Sequence, residues 1–356
     1  MRQATVCIDS QALQYNFNRV KELAPNSKIV SMVKANAYGH GIKECLKPLS
    51  QTDVFGVACL EEALTIRELG FQNDLILIEG VFSEIEMQTV IDQRIEIIIH
   101  HQQQLDWILK YKDRYNALNL KVWVKLNSGM NRLGFKIDAI KDVIHLLKSN
   151  DFTCVLAMHF ANADSDHSLN QQQIDQFLEI KNDCSPILAS CCNSAAIYKY
   201  PELHFDYVRP GIMLYGATPF SDRSVHDLDL KPVMDFTASI IAINEIKAGE
   251  FVGYGSTFEA QRNMTLAIVS IGYGDGYPRA FSTTNYVAIH DMKAPIIGRV
   301  AMDMIAIDIT GLDVTLGTEV ELWGKNQLVD DVANANQTIG YELLCRLSQR
   351  PKRISK

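Results

Sequence analysis

The sequence predicts an α/β protein: an N-terminal (β/α)8 barrel over residues 1–228, followed by a mostly β C-terminal domain over residues 229–356. Three observations predict it. Eight short β-rich runs alternate with polar or helix-forming stretches, over roughly the 200 to 250 residues that such a barrel needs. After Gly216 the texture changes to short alternating apolar runs broken by Gly, Asn, Asp and Pro. The turn after the first core run carries Lys34, where an open doubly wound sheet would place a glycine-rich phosphate loop.

In chain order, a strand at 5–8 leads into an amphipathic helix at 11–23, capped by Asp9 or Ser10. The barrel strands are then expected at 29–33, 54–58, 75–78, 95–99, 120–125, 153–158, 187–189 and 205–208. Each is too short for a helix and rich in β-formers. Residues 60–69, 102–111, 137–147 and 171–181 read as the intervening helices, and 217–229 as a polar connector. The second domain offers strands at 236–243, 265–269, 286–289, 304–309 and 319–322, with no convincing long helix before the last residues.

Composition narrows the function. A formal net charge of -8 argues against a nucleic-acid partner, which would call for a basic stripe. The densest basic run, Arg350-Pro351-Lys352-Arg353, reads as a terminal tail. Residues 1–10 lack a signal-peptide pattern and no apolar run reaches membrane-spanning length, so the expected location is the cytoplasm, with no membrane partner. The cysteines show no CxxC pair and no histidine partners at zinc spacing, which predicts core thiols and no metal site.

In a barrel of this kind the active site lies where strands end and helices have not begun, with phosphate often held after strands seven and eight. The unusual polar residues share that address. Lys34 follows the first strand, Lys125 and Arg132 the fifth, His159 the sixth, Asn193 and Ser194 the seventh, and Arg209-Pro210-Gly211-Ile212 the eighth. A lysine leaving an apolar strand is ordinarily one whose head reaches water. Apolar surroundings nevertheless favour a neutral amine, which can form a Schiff base with a carbonyl, including the aldehyde of pyridoxal phosphate.

The run Val33-Lys34-Ala35-Asn36-Ala37-Tyr38-Gly39-His40-Gly41 resembles the cofactor-lysine motif of bacterial alanine racemases, which depend on pyridoxal phosphate and have a fold-type III barrel. The resemblance implies that Lys34 carries the cofactor. It implies a phosphate site of Tyr38, Ser194 and the Gly211 and Ile212 amides, with Gln349 at a position where relatives often have tyrosine. Arg209 would face the ring nitrogen, which it cannot protonate, and His159 would hydrogen-bond that arginine. The segment from Trp123 to Gly134 resembles the one whose arginine, here Arg132, binds the substrate carboxylate, a group that a guanidinium's paired donors match. Lys125 matches a lysine that is carbamylated in many relatives, although Asn127 stands where they often have aspartate.

Racemisation needs a proton to leave one face of the α-carbon and another to arrive on the opposite face, so two groups are expected. Two tyrosine turns are candidates, Tyr254 between Gly253 and Gly255 and Tyr273 between Gly272 and Gly274, and residue chemistry does not choose between them. The resemblance implies Tyr254, reaching the lysine of a partner subunit in a homodimer. It implies that Met302 and Asp303 meet substrate, and that Asp164, Tyr273, Arg279 and Arg299 form the entry corridor. Relatives often have cysteine where this chain has Ala301. The implied activity interconverts L- and D-alanine, for peptidoglycan supply or alanine breakdown. The alternatives are a broader amino-acid racemase and a non-catalytic pyridoxal-phosphate carrier of the same barrel type.

Overall fold

The computed structural model describes residues 4–279 and 285–356. Its first sheet is parallel and eight-stranded: Lys28–Met32, Val54–Val57, Asp74–Leu77, Ile95–Ile99, Lys121–Lys125, Thr153–Ala157, Leu188–Ser190 and Tyr207–Val208. The last strand returns beside the first, pairing Lys28 with Tyr207 and Ile29 with Val208. Such strands are apolar on both faces because helices cover one and side chains fill the other; every residue of Ile95–Ile99 is buried. The exception, Glu96, is satisfied by Trp123 Nε1 and Lys121 Nζ, each 2.7 Å away. Outside the sheet, helix Ser10–Leu23 starts at Asp9, whose carboxylate accepts the Gln11 and Ala12 amides at 3.1 and 2.9 Å.

Strands seven and eight share no backbone ladder, and other bonds close the barrel there. Asp206 accepts the Ala189 amide at 2.8 Å, Ser190 Oγ donates to the Tyr207 carbonyl at 2.8 Å, and the Arg209 amide donates to the Cys192 carbonyl at 2.9 Å.

The second sheet is built mainly after residue 233, around the long strand Met234–Ile246, which pairs antiparallel with both Met264–Val269 and Glu319–Trp323. Two expectations are corrected here. The strand Thr5–Ile8 belongs to this sheet, pairing antiparallel with Met234–Ile246; the barrel, closed by its eighth strand, has no edge left for it. The basic C-terminal run is no free tail, because Lys352–Ser355 pairs in parallel with Thr5–Ile8. There Arg353 donates to the carbonyls of Gly39 and Ser348 at 3.2 Å each. Short helices Glu86–Asp92, Val329–Ala335 and Gly340–Cys345 and the strand Met292–Ile297 add to the predicted set. One continuous apolar cluster runs from the barrel strands through Phe236 and Trp323 to Leu343 and Leu344. Among the described residues no helix is long and apolar enough to cross a membrane.

Because the seam between strands seven and eight rests on few bonds, Asp206→Ala should lower stability by about 1–2 kcal/mol by leaving the Ala189 amide without its charged acceptor. The check is a lower urea midpoint at unchanged slope; an unchanged midpoint contradicts it.

Candidate active site

The barrel's strand ends enclose a cavity of about 310 Å³. Into it the structure brings the strand-end residues Lys34, Lys125, Arg132, His159, Asn193, Ser194, Arg209, Gly211 and Ile212, together with Tyr38, which only the resemblance had implied. Tyr341 and Cys345, from the C-terminal part of the chain, also line it, beside apolar Met32, Ile78, Ile98, Ala157 and Met158. Tyr341 and Cys345 lie four apart on helix Gly340–Cys345 and so share a face. Sequence reasoning missed both, although that spacing was the available signal.

Lys34 opens a turn of unusual hand. Residues 35–38 have φ of 53°, 53°, 54° and 52°, the left-handed region that costs L-residues roughly 1–2 kcal/mol each. Asn36 tolerates this region, whereas Ala35 and Ala37 bear the Cβ penalty and only avoid the further crowding of a branched side chain. Gly39 follows with φ 79°, and a Cβ there would sit 1.8 Å from the Leu344 carbonyl oxygen, so helix Gly340–Cys345 presses directly on the turn. Tyr38 stacks on Tyr215 at 4.9 Å between ring centroids, and Tyr215 is fixed by its hydroxyl bond to the Met32 carbonyl at 2.8 Å. His40 lies buried under the turn, and burial lowers its pKa to about 4, keeping the ring neutral near pH 7.

Lys34, Lys125, Arg132 and Arg209 line the cavity, and among the described residues no carboxylate lines it. Arg209 is buried and donates to Ser190 Oγ at 2.5 Å and to the Met158 and Cys191 carbonyls at 2.5 and 3.5 Å. Those bonds do not go to the His159 ring, contrary to the expectation. Burial first, then the nearby Arg209, Arg132 and Lys34 charges, lower the Lys125 pKa to about 8. Burial and the same cationic field hold His159 well below the ordinary histidine range. On the eighth-strand side, Ser194 Oγ accepts the Gly211 amide at 2.9 Å. A Cβ on Gly211 would come 2.4 Å from Tyr38 Oη, so only glycine lets the phenol approach.

The loop bearing Arg132 is folded by Asn127, whose Oδ1 accepts the Gly129 and Asn131 amides at 3.3 and 3.0 Å. Buried Gln173 ties that loop to the sixth strand, donating to Ser128 Oγ at 2.9 Å and to the His159 carbonyl at 3.0 Å. Sequence reasoning missed this residue, one of two buried amides, with Asn170, in the polar first turns of helix Ser168–Asp183.

The other expected residues do not line this cavity. Gln349 is exposed; beyond Cys345 the chain turns away to form the strand Lys352–Ser355, and Tyr341 stands at the wall instead. Asp164 and Arg279 are exposed, the latter next to residues outside the described set. Tyr254, 72% exposed, sits on a turn between the short strands Phe251–Val252 and Phe258–Glu259. Tyr273, Arg299, Met302 and Asp303 gather nearby: the Tyr273 amide donates to the Ala301 carbonyl at 3.1 Å and the Gly274 amide to that of Met302 at 2.9 Å. The chain thus carries a cavity and, among residues that do not line it, an exposed tyrosine patch.

A near-closed parallel barrel whose strand ends gather a lysine beside a left-handed turn and several further cations, joined to a β domain, has the architecture of an enzyme with its site at the barrel mouth. Comparisons with known proteins agree. The description "Alanine racemase, N-terminal domain" matches residues 8–219, and "Alanine racemase, C-terminal domain" matches 233–355. The alanine racemase of Psychrobacter sp. is 49% identical over 371 residues, covering 99% of each chain. The solved alanine racemase of Acinetobacter baumannii superposes with a TM-score of 0.99 at 70% identity over 100% of both chains. That of Bartonella henselae, with covalently bound pyridoxal phosphate, superposes at 0.87 with 29% identity over 100% of both. The chain belongs to the alanine racemase family, a family of isomerases.

The lowered Lys125 pKa has a direct readout. Its amine becomes neutral as pH rises through about 8, below the range of surface lysines. Acylation of Lys125 in the cofactor-free protein, followed by mass spectrometry, should therefore reach half its maximal rate near that pH. The unfolded chain keeps this proton to higher pH, so this group makes stability rise with pH across the window. A labelling profile centred at the ordinary lysine value contradicts it.

Proposed function

We propose that this protein interconverts L- and D-alanine with pyridoxal phosphate, using Lys34 and Tyr254 of the partner subunit as the two proton-transfer groups. The observation that carries the reading is the cavity itself, where Lys34 meets Lys125, Arg132 and Arg209 without a lining carboxylate among the described residues. Such a wall suits a ligand bringing several negative groups, as a phosphate and a carboxylate would.

The residues present fit that cofactor. Lys34 would hold it covalently; Ser194, the Gly211 and Ile212 backbone and the Tyr38 hydroxyl would hold its phosphate. Arg209 would meet the ring nitrogen, where a guanidinium can donate a hydrogen bond but cannot give up a proton to it. When bound, pyridoxal phosphate supplies the electron sink that lets an α-proton leave. Arg132 binds the substrate carboxylate and thereby fixes which bond of the α-carbon faces Lys34. Lys34 Nζ takes or returns the proton on the D-alanine side, and the phenol of Tyr254 of the partner subunit does so on the L-alanine side.

A homodimer is part of the proposal, with the barrel of residues 1–228 supplying most of the cofactor site, Tyr341 and Cys345 adding to its wall, and the Tyr254 region of residues 229–356 serving the partner's site. Exposed Phe251, Tyr254, Met302 and Met304 on the C-terminal domain, and exposed Phe82 and Ile85 by the barrel mouth, are apolar surface that a two-fold assembly would cover. Asp303, Tyr273, Arg279, Arg299 and Asp164 would then border the substrate's path.

Lys125, neutral from about pH 8 upward, is suited to add carbon dioxide: its nitrogen forms the new bond to carbon, one proton leaves, and an anionic carbamate replaces a cation beside Arg132. Alkyl trapping under labelled carbon dioxide should place the label on Lys125, and an unlabelled Lys125 peptide contradicts it.

Lys34→Ala and Tyr254→Phe should each lower racemase activity by on the order of a hundredfold or more, read by chiral separation of alanine. Mixing the two inactive variants under exchange conditions should restore roughly a quarter of wild-type activity, because each mixed dimer rebuilds one intact site. No recovery, with exchange verified by mass, contradicts the shared site. Full activity of Lys34→Ala contradicts the mechanism.

A further inference from the structure

The left-handed turn after Lys34 needs something to hold it, and the restraint comes from outside the cavity. Glu62 lies on helix Leu60–Glu68. One of its carboxylate oxygens accepts the Ala35 amide at 2.7 Å and the other accepts the Ala58 amide at 2.8 Å. We infer that Glu62 is the positioning residue of Lys34: its carboxylate clamps the backbone immediately after the lysine to the end of the neighbouring strand and so sets the direction in which the amine points.

The local geometry leaves Glu62 this task. Strands one and two are in register up to Met32 and Gly56, and the Val33 amide still reaches the Gly56 carbonyl at 2.9 Å. Beyond that point the first strand departs into the turn. The Ala37 and Gly39 amides find the Val33 and Ala35 carbonyls at 2.9 Å each, whereas the Ala35 amide precedes any acceptor that the turn provides and is taken by Glu62. The same carboxylate takes the Ala58 amide just past strand Val54–Val57. A glutamate at the third position of a helix ordinarily reaches back to the amide of its own N-cap residue; Glu62 reaches past that residue and across to another strand. At the far end of the turn, Asn36 Oδ1 accepts the Ile42 amide at 2.9 Å, so the run of positive φ is bracketed on both sides. Glu62 is not among the residues lining the cavity, so it acts on Lys34 through the backbone.

The inference rests on Lys34 being the cofactor lysine, and Glu62→Gln tests it with two kinds of readout. Glutamine keeps the size and one acceptor oxygen but turns an NH2 group toward the other amide. In the cofactor-free variant, the amides at residues 35 and 58 should exchange with deuterium on the order of tenfold faster or more, with the other barrel strands unchanged. In the loaded variant, kcat should fall on the order of tenfold to a hundredfold while KM for alanine stays near the wild-type value. Uptake of added pyridoxal phosphate, followed by visible absorbance, should be slowed. Glu61→Gln, at an exposed neighbour, should match wild type in all three. Wild-type exchange at both amides together with wild-type kcat overturns the inference. Should Glu62→Gln not fold, wild-type protein still decides, because unprotected amides at residues 35 and 58 would overturn it equally. If wild-type protein takes up no pyridoxal phosphate, the functional reading of Lys34 fails, whereas amide protection stands or falls on its own.

Discussion

A guanidinium buried without a carboxylate is the constraint on which the rest of the structure turns. Arg209 satisfies its donors with a serine hydroxyl and carbonyl oxygens, which answer its hydrogen-bonding needs but not its charge. Two lysines and a second arginine share the same wall. A flexible surface would spread such charges into water; eight strand ends converging on one mouth do not permit that. Burial first, and then the repulsion among these cations, lowers the Lys125 and His159 pKa values. That repulsion makes the cavity selective for anions before any particular contact is considered. The desolvation cost of these cations must be offset by the burial that closes the barrel and joins it to the C-terminal sheet.

That joint does more than stabilise. The turn after Lys34 is pressed by Leu344 of helix Gly340–Cys345 and bonded through the Gly39 carbonyl to Arg353 of the last strand. Tyr38, on the turn itself, lies between Tyr215 and Tyr341, at centroid distances of 4.9 and 6.2 Å. The left-handed backbone after Lys34 is therefore held by nearby Glu62 and Tyr215 and also by residues more than three hundred positions later. Strain of this kind persists only where its surroundings over-determine it, and here the surroundings come from both parts of the chain.

How much of this was legible in the sequence follows from how local each signal is. The eight barrel strands were readable almost to the residue, because an apolar run between polar stretches reports its own burial. The strand-end residues Lys34, Lys125, Arg132, His159, Ser194 and Arg209 were readable for the same reason, since knowing where a strand ends fixes where its next side chain points. The strand Lys352–Ser355 was not, because Lys, Arg and Ser carry no strand signal and only pairing with Thr5–Ile8 makes them one. Thr5–Ile8 itself was visible as a strand, but its sheet was not. The hand of the turn was hidden too, since Ala-Asn-Ala carries no mark of positive φ. Tyr341 and Cys345 reach the cavity only through the packing of a late helix, whereas the resemblance had pointed to Gln349.

The separation of the cavity from the Tyr254 patch is the last consequence of this architecture. Within one chain, residues 341–350 touch both: Tyr341 and Cys345 line the cavity, while Arg350 binds Asp303 at 2.6 Å and Asp275 at 3.4 Å, beneath the loops that carry Met302 and Tyr273. Ser348 adds a backbone bond to Asp275 at 3.1 Å. The wall of a chain's own cavity and the patch it would lend to a partner are thus parts of one bonded piece. In the two-fold assembly proposed above, a single short segment would fix both the room left beside the cofactor in one site and the placement of the opposing phenol in the other. Two composite sites can then keep the same spacing between amine and phenol without a separate scaffold for each.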